Sequence, residues 1–129
     1  MFVLDTNTLI YYFKGAGRVG DRLLSVAPAD VAIPAIVLYE LEVGVSASLH
    51  PAKRRAQLVT LLSVITVLPF DWKAAEHADR VRGVLRRSGN AIGPLDTLIA
   101  GTAIAHGATL VTHVREFRRV PGLSVVDWY

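Results

Sequence analysis

The feature that most constrains this chain is a repeated switch of hydrophobic period. Apolar runs of three to five residues, short for helices, alternate with longer stretches at helical spacing. Strands are expected at Phe2-Val3-Leu4, Val31-Ala32-Ile33, Val64 to Leu68, Thr109 to Thr112 and Ser124-Val125-Val126. Between them the pattern predicts helices. The first follows Thr6-Asn7-Thr8, which offers capping chemistry, and is broken by Gly15 and Gly17. Others are expected from Val19 to Val26, from Pro34 in a first turn to Ala47, from Pro51 through Leu62, from Trp72 to Arg87 behind an Asp71 cap, and from Gly93-Pro94 to His106-Gly107. Short apolar strands alternating with helices are the pattern of a parallel sheet, and such a sheet is covered by helices on both faces. The expected fold class is therefore α/β, in one domain spanning residues 1–129. Ligands in this class sit at the carboxyl ends of the strands, where Asp5 and Thr112-His113 both fall.

Composition narrows the function. The chain is 52% hydrophobic and 19% charged, which excludes an intrinsically disordered protein. With no cysteine, disulfide frameworks, thiolate zinc sites and thiol catalysis are excluded. No apolar run approaches a membrane span, and Met-Phe-Val-Leu-Asp carries no basic region ahead of its apolar residues, so a cytoplasmic location without membrane contact is expected. The net charge of +3, carried mostly by arginine, permits nucleic-acid binding without demanding it.

The acids are more informative. Asp5 lies in FVLDTNTLI, Glu40 in AIVLYELEVG and Asp96 in IGPLDTLIAG, all segments that otherwise read as core. An ionised carboxylate out of water is costly unless it is paired or bound to a metal, and basic residues are scarce nearby in sequence. Three carboxylates converging on one strand edge would repel each other, and a hard divalent ion, Mg²⁺ or Mn²⁺, would relieve that repulsion. Each acid also has a plain structural reading. Asp5 can cap the following helix, Asp96 can complement a helix dipole, and either Glu40 or Glu42 is a solvated residue. His50, His77 and His106 lack ligand-like spacing.

Four segments together carry a family resemblance: Leu4-Asp5-Thr6-Asn7, Glu40-Leu41-Glu42-Val43-Gly44, Gly93-Pro94-Leu95-Asp96-Thr97-Leu98-Ile99-Ala100, and Arg115-Glu116-Phe117 followed by Arg119-Val120-Pro121-Gly122-Leu123. With the closing Asp127-Trp128, they resemble the PIN-domain family, specifically the VapC-type toxins of bacterial toxin–antitoxin pairs, over the whole chain. The resemblance implies a three-layer α/β/α fold with a short parallel sheet. It also implies an endoribonuclease dependent on Mg²⁺ or Mn²⁺ that hydrolyses structured RNA such as tRNA. A homodimer and a small DNA-binding antitoxin as partner are implied as well. The acids matching Asp5, Glu40 and Asp96 form the metal site in that family; Thr6, Asn7 and Thr112 would support them by hydrogen bonds, and Glu116 either reaches the site as a fourth acid or pairs with a nearby arginine on the surface. RNA contact is expected from Arg115, Arg118 and Arg119 beside the site and from Arg86 and Arg87 at the end of the long helix, where Arg80 and Arg82 also lie. For the helix cluster, dipole complementation is an equally physical account.

One departure stands out. Thr112-His113-Val114-Arg115-Glu116-Phe117 is one residue shorter than the usual Thr-Asn-Asn-Thr-Arg-Glu-Phe, in which His can replace one Asn, and lacks the polar Asn or Asp. It leaves room for a catalytically impaired protein of the same fold that only binds RNA or antitoxin. A receiver-like signalling module is a further alternative, although two adjacent acids after the first strand and a late lysine are absent.

Overall fold

The structure, a computed structural model, describes residues 1–129. The chain runs β1 (Phe2–Leu4), α1 (Thr6–Lys14), α2 (Val19–Leu24), β2 (Val31–Pro34), α3 (Ala35–Ala47), α4 (Pro51–Leu62), β3 (Thr66–Leu68), α5 (Trp72–Arg87), α6 (Pro94–Ala105), β4 (Thr109–Val111) and β5 (Ser124–Val126). Short 3₁₀ turns at Pro28–Asp30 and Arg115–Arg119 complete it. The five strands form one parallel sheet in the order β3-β2-β1-β4-β5, with helices on both faces. The core is centred on β1, β2 and β4, where Val3, Leu4, Ala32, Ile33, Leu110 and Val111 are completely buried. Strands buried on both faces read as continuous apolar runs, as the sequence does here.

The sheet order decides where a ligand goes. From β1 the chain winds outward to β2 and β3, then returns across to β4 and β5 on the other side of β1. The connections therefore diverge at the carboxyl ends of β1 and β4, which opens a crevice there. The same order removes the receiver-like alternative, since that class carries the order 2-1-3-4-5.

Several boundaries differ from expectation for local reasons. Pro34 closes β2, paired with Leu68, and stands just ahead of α3 in extended conformation rather than in its first turn. The third strand starts at Thr66 because Val64 and Ile65 still donate to Leu61 of the α4 exit. α2 ends at Leu24 and not at Val26; the Ser25 hydroxyl bonds the Arg22 carbonyl and the helix stops. β4 ends at Val111, although the Thr112 N–H still donates to Val126. Asp71 caps α5 by accepting from the Ala74 N–H at 3.0 Å, as its position predicts. α5 and α6 approach so closely at Gly101 that a Cβ there would lie 2.6 Å from Ala78. That contact sets how closely α6, whose first turn carries Asp96, packs against α5.

Candidate functional site

Asp5 is the first residue beyond β1 and is 2% exposed. Its burial is compensated by hydrogen bonds and not by an ion pair. Oδ1 accepts from the Thr8 N–H at 2.8 Å, the N-cap bond of α1, and Oδ2 accepts from the Thr112 hydroxyl at 2.5 Å. The Thr112 hydroxyl also accepts from the Val114 N–H, which pins the loop after β4 to the same carboxylate. The Thr8 hydroxyl donates to Val111, joining α1 to β4. Burial raises the Asp5 pKa above its ordinary 3.8; the bonds from Thr112 and Thr8 pull it back, and the charge of Asp127 adds to the rise.

Glu40 and Glu42 separate as their two-residue spacing requires. Glu42 is exposed and held by both guanidinium arms of Arg55, at 3.2 and 2.8 Å, which lowers its pKa. Glu40 is half-buried and accepts from the Thr6 hydroxyl at 2.7 Å. Asp96 sits in the first turn of α6, half-buried. Burial raises its pKa first, and the charges of Glu40, Asp5 and Glu116 raise it further. Asp5, Glu40, Asp96 and Glu116, from four separate places along the chain, line one space.

The space is a cleft of about 370 Å³ lined by Asp5, Thr6, Asn7, Glu40, Gly93, Asp96, Val114 and Glu116. No cationic side chain lines it, and none of these acids is in a salt bridge. Glu116 in particular has no arginine within ion-pair distance. No three acidic or histidine side chains converge closely enough to hold a metal ion as they stand. The donor set is nevertheless all oxygen and strongly acidic, which suits a hard cation. Mg²⁺ commonly binds through one or two carboxylates and retains several waters, so closure by three acids is not required.

The other expected residues distribute unevenly. Thr6 and Thr112 each bond an acid of the cleft, and Asn7 lines it. Arg115, Arg118 and Arg119 are exposed on the turn that carries Glu116, with Arg119 donating to the Ala91 carbonyl at 3.3 Å. Arg86 lines a different groove, between α5 and α6, together with Arg82 and Asp79. Arg87 lies against Gly83, and Arg80 makes an exposed contact with Glu76. The helix cluster is therefore not brought to the carboxylates. His113 is engaged elsewhere: Nδ1 lies 2.7 Å from Asp127 Oδ2, and its ring stacks on Tyr129 at 4.5 Å. Burial works against ionisation of Asp127, but bonds from His113 and the Tyr129 N–H, with the charges of His113 and Arg118, leave its pKa below the ordinary value. Thr8, Gly93 and Val114 were not anticipated. Thr8 was legible as the third residue after a capping Asp, whereas Gly93 and Val114 line the cleft without any polar side chain to mark them.

Comparison with known proteins decides the family. The PIN domain model matches residues 2–123. The chain belongs to the PIN-domain family. Among PIN-domain relatives it is 37% identical over 128 residues to the tRNA(fMet)-specific endonuclease VapC of Salmonella typhimurium, covering 98% of this chain and 97% of that one. It is 36% identical over 131 residues to ribonuclease VapC2 of Rickettsia felis, covering 99% and 98%. Among solved structures, VapBC2 from Rickettsia felis bound to a promoter DNA fragment superposes with a TM-score of 0.92 at 35% identity, covering 99% of this chain and 98% of that one. FitAcB from Neisseria gonorrhoeae superposes at 0.87 and 28% identity, covering 97% and 96%. The PIN fold expected from the resemblance is thus the fold observed.

Proposed function

We propose that this protein is a metal-dependent endoribonuclease, the toxin of a toxin–antitoxin pair, that hydrolyses phosphodiester bonds in structured RNA such as tRNA. The observation that carries the proposal is the cleft itself: Asp5, Glu40, Asp96 and Glu116 face one space at the switch point of the sheet, with no cation among them. The names of relatives at 36–37% identity, a tRNA endonuclease and a ribonuclease, support the reaction class. The VapBC complexes among the structural neighbours support an antitoxin as partner. A homodimer is part of the same proposal. No helix is long and apolar enough to cross a membrane.

In this reading Asp5, Glu40 and Asp96 hold one or two Mg²⁺ or Mn²⁺ ions. When bound, such an ion neutralises phosphate oxygens and makes water a stronger nucleophile at neutral pH. The chain's own work is positional. Thr112 and Thr8 fix both oxygens of Asp5, and Thr6 fixes one oxygen of Glu40, so that these side chains lose little freedom when a ligand arrives. The pKa of Asp96 is raised first by burial and then by the charges of Glu40, Asp5 and Glu116, a repulsion that a cation would relieve. Glu116, exposed at the rim, is placed to meet the substrate side of the cleft. Arg115, Arg118 and Arg119 on the same turn would meet phosphates outside it.

The test is cleavage of total tRNA by the purified protein. EDTA should abolish it, and Mg²⁺ or Mn²⁺ should restore it. Undiminished cutting in EDTA would remove the metal from the reading. Metal-replete protein that binds RNA without cutting it would establish the impaired alternative.

A further inference from the structure

A second cavity adjoins the carboxylate cleft at Glu40. It lies between α1, α3 and α4, has a volume of about 230 Å³, and shares Glu40 with the cleft. Its floor is apolar, formed by Ile10, Phe13, Leu41 and Leu58 among others, but two cations face it, Lys14 and Arg54. Arg54 is unusual within this chain. Of the 14 lysines and arginines it is the only one that is not exposed. It has no acidic partner; Nη1 donates to Gln57 Oε1 at 2.9 Å, a neutral contact that aims the guanidinium and leaves its other N–H groups unused. Lys14 is likewise in no salt bridge. The same wall holds Ser48, whose Oγ is the one buried side-chain polar atom without a hydrogen-bond partner in the chain.

A half-buried guanidinium in no salt bridge, in a cavity whose one acid, Glu40, is held by the Thr6 hydroxyl and whose wall also carries the unpaired Ser48 hydroxyl, is a poor device for stability and a good one for an anion. Arginine's planar fork suits phosphate in particular. We propose that this groove is a substrate subsite. It takes a phosphodiester of the RNA strand adjoining the one cut, bound by Arg54 and Lys14, with the attached nucleoside against the apolar floor. The proposal rests on the ribonuclease reading and extends it. The shared Glu40 wall, which sets the two cavities side by side, is the reason for choosing RNA over an acidic peptide. One strand can lay its scissile phosphate at Asp5 and Asp96 and a neighbouring phosphate at Arg54, whereas an acidic peptide gains nothing from the carboxylates.

The experiment compares the wild-type chain with Arg54→Gln, Lys14→Gln and the double variant, each checked for an unchanged melting temperature. Steady-state cleavage of total tRNA in Mg²⁺ is followed from low to moderate salt. Binding of the same tRNA is measured in an Asp96→Asn background. Arg54→Gln should raise KM about tenfold or more, as for loss of a charged hydrogen bond, with a smaller change in kcat. The salt slope of log affinity should fall by about 0.7 for each phosphate contact removed. Arg54→Lys should recover part of the loss. Wild-type cleavage with unchanged KM and salt slope in the double variant overturns the subsite while leaving the ribonuclease reading intact. Loss of affinity for a co-expressed antitoxin without any change toward RNA assigns the groove to a protein partner and also overturns it. Failure of the wild-type chain to bind or cut RNA removes the ribonuclease reading and this inference with it.

Discussion

Thr112→Val tests whether the buried Asp5 is held by hydrogen bonds, as the geometry requires. The Thr112 hydroxyl donates to Asp5 Oδ2 and accepts from the Val114 N–H. Valine matches the shape but offers neither. A hydrogen bond to a charged group is worth about 1.5–3 kcal/mol, and a half-buried N–H left without an acceptor adds about 1 kcal/mol. Added methyl burial returns about 0.8 kcal/mol. The net loss is about 2 kcal/mol, which for 129 residues corresponds to a fall in melting temperature of about 7 °C. The pH dependence sharpens the test. Burial raises the Asp5 pKa above 3.8 and Thr112 pulls it down, so the variant's folded pKa rises further. An acid with a raised folded pKa loses stability as pH climbs from its unfolded value through its folded one. The deficit of Thr112→Val should therefore be small in acid and grow to a plateau above the Asp5 titration. Thr112→Ser keeps both bonds and should show a pH-independent loss of about 0.8 kcal/mol for the missing methyl. Denaturant melts of the three proteins between pH 3 and 8 measure this. A Thr112→Val loss below about 0.5 kcal/mol, or one flat with pH, would refute the reasoning.

Two further outcomes follow from the same cleft. Asp96→Asn removes a carboxylate whose pKa is raised by burial and by three neighbouring acids, so the metal-free variant should be more stable than wild type at neutral pH, with the gain disappearing as pH falls below the ordinary carboxylate value. The melting temperature of this variant should no longer respond to Mg²⁺, and cleavage should fall by at least the about 10–100-fold typical of lost outer-shell partners; parental cleavage would take Asp96 out of the site. Changing Arg115, Arg118 and Arg119 together to Ala should weaken tRNA binding and flatten its salt dependence, read by titration at several salt concentrations; an unchanged slope would make the turn a solvated surface only.

The sequence by itself determined the element types and the parallel sheet, because both depend on local period and on the short apolar runs that strands buried on two faces require. It also marked Asp5, Glu40 and Asp96, since an acid inside an apolar segment is a local anomaly visible without coordinates. It left Arg86 and Arg87 with two readings, and it did not single out Arg54. Those distinctions depend on which helix faces which across the sheet. Strand order is set by packing between elements distant in the chain. That order alone places the loop after β4 beside the end of β1, so that Thr112 meets Asp5 across 107 positions of sequence. Likewise, nothing in the run Pro51-Ala52-Lys53-Arg54-Arg55 tells one basic residue from the next. Only the docking of α4 against α1 and α3 pairs Arg55 with Glu42 and turns Arg54 into the groove. Local propensity is a property of neighbours along the chain, whereas a charge acquires its role from what tertiary packing brings within a few ångströms.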